Sequence, residues 1–182
     1  ELYGGRLPRS AGELAEAVGE FLRQRLRVLL GEQGLDAAVV EAALAVAGDR
    51  PAEAAERARQ LQALLGEPFF EDAQTAFQRA YRLARVHQPT GRLEVALLQE
   101  PMEQALWQEV QRLVPQVQEA VARGELARAV QLLAGVRPVV DRFFDEVLVM
   151  AEDGRVRVNR LELLHRLLRA FREVADFAAL AS

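Results

Sequence analysis

The sequence predicts an all-α bundle of about eight helices joined by short connections. Three observations predict it. Apolar residues return with helical period through almost every segment, no stretch alternates for long as a strand does, and Ser, Pro and Gly fall where helices start and stop. Apolar residues make up 51% of the 182, and a chain of this length buries roughly 70% of the surface its unfolded form exposes. A core therefore forms without metal or disulfide, and the chain has no cysteine to make one.

Ser10 and Glu13 form a capping box that opens the first helix through Leu14, Val18, Phe21, Leu22, Leu26 and Leu29, with Gly31 and Gly34 ending it. Asp36 is placed to cap a second, with Val39, Val40, Leu44 and Val46 as its apolar positions. Pro51 suits a first helical turn, and Leu61, Leu64 and Leu65 carry that third helix to Gly66. A fourth runs from Pro68 or Glu71 to His87, and QPTG follows as a loop. Pro101 starts a fifth through Met102, Leu106, Trp107, Val110 and Leu113, which Pro115 should kink or restart. Gly124 and Gly135 bracket ELARAVQLLA, another helix spans Pro138 to Met150, and the last runs from Asn159 to about Leu180. The opening ELYGGRLPRS shows no element of its own and reads as the cut end of a longer chain.

The stretch before the last helix holds the single asparagine of the chain. Glu152, Asp153 and Gly154 supply turn chemistry, with a positive φ expected at Gly154. Arg155 to Val158 then alternate as a short extended connector. Asn159 and Glu162 make N-x-x-E, so the asparagine is expected as an N-cap; the rival reading has its amide touch a base edge beside Arg157 and Arg160.

Composition narrows the function classes. All 23 basic residues are arginine and isoleucine is absent, which suits GC-rich coding, while scarce asparagine and absent cysteine also suit adaptation to heat. The net charge of −4 argues against a protein that coats nucleic acid indiscriminately, so an RNA contact needs a local arginine cluster. No apolar run reaches the about 18 to 20 residues that span a bilayer, and no secretory leader is visible. A cytoplasmic location with no membrane partner is expected.

No catalytic or metal site is expected. Asp141 and Asp145 lie one turn apart, but Arg137 and Arg142 can neutralise them. His87 closes a helix and His165 edges an apolar stripe, with no third ligand in register. Trp107 and the phenylalanines read as core. Three arginine clusters remain. Arg79, Arg82 and Arg85 share a face about 120° wide, with Tyr81 and His87 beside them as stacking surfaces; the bland account ties that face to Glu71 and Asp72. Arg155, Arg157 and Arg160 form the second. Arg23, Arg25 and Arg27 form a third, structural in character because Glu16 and Glu20 can pair with it.

The run FFDEVLVMAEDGRVRVNRLELLHRLLRAFREVADFAAL resembles the C-terminus of bacterial glycyl-tRNA synthetase β subunits. The shared spacings are Val140-Asp141, Phe143-Phe144-Asp145, Val149-Met150, Asp153, Arg157, Asn159-Arg160-Leu161 and Val174-Ala175-Asp176. GELARAVQLLAGVRPVVD resembles the family's preceding helix pair, and the likeness continues loosely back to FLRQRLRVLLGEQGL. A family segment that reads K-R-V-x-N-I stands here as Gln78-Arg79-Ala80-Tyr81-Arg82-Leu83. Arg79 carries over, whereas Gln78 replaces the lysine and Arg82 the asparagine.

The resemblance implies that residues 1–182 are one helical anticodon-binding domain, similar to that of arginyl-tRNA synthetases, at the C-terminal end of a longer β subunit with Ser182 its natural end. It implies the anticodon loop of glycine tRNA as partner, and an α subunit that performs glycine attachment in an α2β2 assembly using ATP and Mg2+. This part itself is then non-catalytic, without cofactor and without a DNA partner. Glycine codons begin GG, so each such tRNA carries two cytosines in its anticodon, and unstacked loop bases are read by stacking and by hydrogen bonds to their edges. The candidate RNA contacts are Arg79, Tyr81, Arg82, Arg85, Arg155, Arg157, Asn159 and Arg160. The competing expectation is a helical module that joins protein to protein without touching RNA.

Overall fold

The computed structural model describes residues 10–181; the expectations for the opening nine residues and for Ser182 lie outside them. Eight α-helices run in order among the described residues: α1 Ala11–Glu32, α2 Ala37–Ala47, α3 Pro51–Leu64, α4 Pro68–Ala84, α5 Pro101–Ala122, α6 Leu126–Ala134, α7 Arg137–Glu146 and α8 Gly154–Val174. No strand occurs among these residues, so the all-α expectation holds. No helix among them is long and apolar enough to cross a membrane.

Helices α4 to α8 pack on one another, while α2 and α3 pair beside them and α1 lies against α2 and α3. The core is continuous across the set, from Val40, Leu44 and Leu61 through Phe70, Phe77, Leu106 and Leu113 to Leu133, Phe143, Leu164, Leu167 and Phe171. Arg57, 7% exposed, joins the two parts. Its guanidinium donates to the Glu173 and Val174 carbonyls (2.6 and 2.5 Å) and pairs with Glu53. A cation thus satisfies the orphan carbonyls at the end of α8.

Several boundaries differ from those predicted. The Ser10–Glu13 capping box forms, but α1 continues through Gly31, and the break comes where Gly34 takes φ 85°. Asp36 stands at the N-cap of α2 without bonding its amides; instead its own amide donates to Gln62 Oε1 (2.8 Å). Helix α4 stops at Ala84, a turn before His87. Helix α5 runs unbroken past Pro115. Pro115 and Gln111, whose carbonyl loses its helical donor, are both exposed, so that carbonyl is left on the solvent side of the helix. Helix α7 ends at Glu146, and Val147 and Val149 are buried while Leu148 and Met150 point out, the period of extended chain.

The largest correction concerns Asn159. Helix α8 begins five residues earlier, at Gly154, which does not take a positive φ. Asp153 is the cap, its Oδ1 accepting from the Arg155 and Val156 amides (2.8 and 3.3 Å). Asn159 therefore sits inside the helix, 3% exposed. It accepts the Glu94 amide (2.8 Å) and donates to the Glu94 carbonyl (3.0 Å), pinning the α4–α5 connection. Replacing Asn159 with alanine strips a buried backbone donor and acceptor of their partners, and should cost about 1–3 kcal/mol in urea unfolding. The loss should appear as faster amide exchange at residues 93–97 than in α8.

Helix α1 leaves much of its apolar stripe uncovered. Leu14, Val18, Phe21 and Leu22 are exposed, Phe21 at 65%, and only Leu30 is fully buried.

Candidate nucleic-acid interface

The arginines of this chain divide into those that acids occupy and those that stand open. Arg79 is occupied: it donates to Asp141 (2.6 Å) and Asp145 (3.4 Å) on α7 and lies over the Phe144 ring at 5.4 Å. Hydrogen bonding to Asp141 raises its pKa further; burial opposes this, and the charges of both carboxylates and the Asp145 bond add to the rise. The expected partners Glu71 and Asp72 do not hold it; Asp72 pairs with Arg137, which also reaches Asp141 at 3.6 Å. Arg142 pairs with Glu146 (3.0 Å) rather than with the aspartates.

The second predicted cluster is drawn inward. Arg160 is 8% exposed and donates to the fully buried Glu103 (2.6 Å) and to the Leu148 carbonyl (2.8 Å). Arg157 donates to the Ala151 carbonyl (3.0 Å). Arg160 and the buried Asn159 present no side chain for a polyanion, and Arg157, half-buried, is tied to backbone at one nitrogen. Arg155 alone remains exposed, in a solvated pair with Glu94 at 3.1 Å. In the third cluster, Arg23 pairs with Glu20 (2.9 Å), and Arg27 joins Glu20 to Glu41 on α2 (3.4 and 2.5 Å). Glu41, not Glu16, completes that network.

Arg25 on α1, Arg92 after α4 and Arg128 on α6 stand open, and α4 and α8 carry four more open arginines between them. Arg82 and Arg85 at the end of α4, and Arg169 and Arg172 on α8, are exposed and make no ion pair or side-chain hydrogen bond among the described residues. Arg166 makes one bond, to the Gly91 carbonyl (2.6 Å). Sequence reasoning missed the α8 arginines, although residues 166, 169 and 172 recur every third position. In the sequence an acid stands one turn from each: Glu162, Glu173 and Asp176. In the structure those acids are committed elsewhere: Glu162 to the 87–91 loop, Glu173 to Gln118 (2.9 Å), and Asp176 to its own turn.

Between the two helices lies a concavity of about 350 Å3 lined by Phe77, Tyr81, Arg85, Pro89, His165, Leu168, Arg172, Asp176 and Ala178. Its floor is aromatic. Phe77 stacks on Tyr81 (centroids 5.1 Å apart, planes 16° apart) and also touches Phe171 (5.5 Å) and Phe177 (5.6 Å).

Glu162 holds the rim. Its Oε1 accepts from the Thr90 amide (2.5 Å), the Thr90 hydroxyl (2.9 Å) and His87 Nε2 (3.1 Å), and its Oε2 from the Gly91 amide (3.1 Å). His165 Nε2 donates to the His87 carbonyl (3.0 Å), so both histidines serve the loop. Burial pushes the Glu162 carboxyl up, but the bonds from Thr90, His87 and Gly91 outweigh it and hold the group below its ordinary 4.5. A depressed carboxyl stabilises the fold above that value and loses the effect as pH falls below it. Wild type should therefore exceed Glu162→Gln by about 1–3 kcal/mol at pH 7, with the gap closing in melts below pH 4.5.

This geometry can hold a single-stranded anion. Guanidiniums free of acids offer phosphate contacts at little desolvation cost, and an exposed ring anchored in the core offers a surface for a base. Residues 73–177, from within α4 to just past α8, match the family described as the DALR anticodon binding domain. The chain is also similar to the glycine–tRNA ligase beta subunits of Desulforudis audaxviator (43% identical over 97% of this chain and 25% of that protein) and Moorella thermoacetica (38% over 97% and 26%). The subunit of Syntrophotalea carbinolica is 34% identical over 100% of this chain and 26% of its own length. The chain thus spans about a quarter of the length of these relatives.

Proposed function

This chain belongs to the DALR anticodon-binding domain family, and we propose on that premise that it docks the anticodon loop of glycine tRNA as one helical unit of a glycine–tRNA ligase β subunit. The observation that carries the reading is the pair of acid-free arginines, Arg85 and Arg172, that line the concavity beside Tyr81, with Arg82 and Arg169, equally acid-free, on the same two helices. The guanidiniums hold loop phosphates, which sets affinity, and the concavity tests a base, which sets selectivity. Glycine attachment itself, in an α2β2 assembly with an α subunit, ATP and Mg2+, we assign to the rest of that enzyme. Among the described residues no three His, Asp or Glu side chains are grouped to hold a metal.

A second reading, a protein–protein module that leaves RNA alone, is favoured by the uncovered apolar stripe of α1. It does not account for the open arginines on α4 and α8. Fluorescence-anisotropy titration of the chain with a glycine tRNA at two salt concentrations separates the readings. The first predicts saturable binding that weakens as salt rises. No binding at low salt would leave the second standing alone.

A further inference from the structure

We infer that the concavity over Tyr81 is a selective pocket for one unstacked nucleobase carrying an exocyclic amine beside a ring acceptor, and that the Asp176 carboxylate selects the amine. The inference rests on the RNA-docking reading above and names the base it tests: a loop cytosine.

Three features of the pocket lead there. Tyr81 continues a parallel stack that starts at buried Phe77, and its outer face is open, so a planar base extends the stack by one layer. Arg85 follows Tyr81 by one helical turn, and Arg172 approaches from α8; neither has a protein acceptor among the described residues. Asp176 is held by backbone rather than by a cation. Its amide donates to the Ala42 carbonyl (3.0 Å), its Oδ1 accepts the Ala178 amide (3.1 Å), and Phe177 beside it is wholly buried. The second carboxylate oxygen has no protein donor among the described residues.

A site with guanidinium donors and one fixed carboxylate is complementary to cytosine, whose amine donates while N3 and O2 accept. Uracil keeps the shape but turns a carbonyl toward the carboxylate, which like polarity rejects. The 87–91 loop, clamped by Glu162, keeps Pro89 at the rim.

The test is anisotropy titration of the full 182-residue chain with two labelled anticodon stem-loops that differ only in cytosine against uracil at the two invariant loop positions. Wild type should prefer the cytosine loop by about fivefold or more. Asp176→Asn keeps an acceptor for the Ala178 amide but turns an NH2 donor toward the base, which suits uracil's carbonyl and not cytosine's amine, so it should bring the ratio to one or below. Tyr81→Leu keeps apolar cover on Phe77 but removes the stack, and should weaken both loops by about fivefold or more, whereas Tyr81→Phe should retain affinity. If both loops bind and Asp176→Asn leaves the ratio unchanged, the pocket assignment is overturned while RNA docking stands. If neither loop binds at low salt, the docking reading falls and the pocket with it.

Discussion

Replacing Arg160 with methionine should lower the unfolding free energy by about 3–5 kcal/mol, because it leaves the carboxylate of Glu103 buried without its cation. Glu103 is fully buried, and Arg160 Nε lies 2.6 Å from its Oε1. The other carboxylate oxygen is already committed to the Glu100 amide (2.8 Å), which caps α5. The same substitution orphans the Leu148 carbonyl, which Arg160 meets at 2.8 Å. In a chain of this size the loss corresponds to a drop of about 6–20 °C in melting temperature. Adding Glu103→Gln removes the stranded charge but keeps a group for the cap, so the double variant should recover part of the loss. A cost below about 1 kcal/mol would mean that the pair is hydrated and that Arg160 can swing outward. While folded, Arg160→Met should bind RNA as wild type does, since its guanidinium faces inward.

The opposite profile is expected where cations stand open. Arg85→Glu, Arg169→Glu and Arg172→Glu combined should leave the melting temperature within a few degrees, as none of the three has a protein partner among the described residues. RNA affinity should fall by about a hundredfold or more at low salt. The slope of log affinity against log salt should lose about 0.7 for each of the three that holds a phosphate rather than the base. Arg112→Glu is the control. Arg112 is exposed on α5 and paired with Glu109 (2.5 Å), outside the α4–α8 concavity, and should change affinity little.

How much of this was legible in the sequence depended on whether polar residues faced water. Where they did, helical period and punctuation placed the elements to within a turn: the Ser10–Glu13 box, Pro51, Pro68 and Pro101 at first turns, and the Gly34, Gly66 and Gly124 breaks all stand as read. The reading failed where polar side chains occupy the buried stripe. Asn159, Arg160 and Glu162 lie on the inner face of α8, so a rule that sends charge outward turned two helical turns into an extended connector and moved the cap from Asp153 to Asn159. Of the candidate contacts, Tyr81, Arg82 and Arg85 were singled out on their helix, and they stand exposed there. The α8 arginines were not singled out, although they too recur every third position, with an acid one turn from each in the sequence. Only tertiary structure shows those acids turned toward the 87–91 loop, Gln118 and the Asp176 turn. Arg79 failed for the converse reason: its partners Asp141 and Asp145 lie 62 and 66 residues away in sequence.

The most direct test of where RNA lies is hydrogen exchange of the chain, read by mass spectrometry with and without a glycine-tRNA anticodon stem-loop. The structure predicts slower exchange in two separated segments, residues 81–91 and 165–178, with residues 153–160 unchanged. Protection concentrated at 153–160 instead, beside Arg155 and Arg157, would contradict the placement of the interface on α4 and α8.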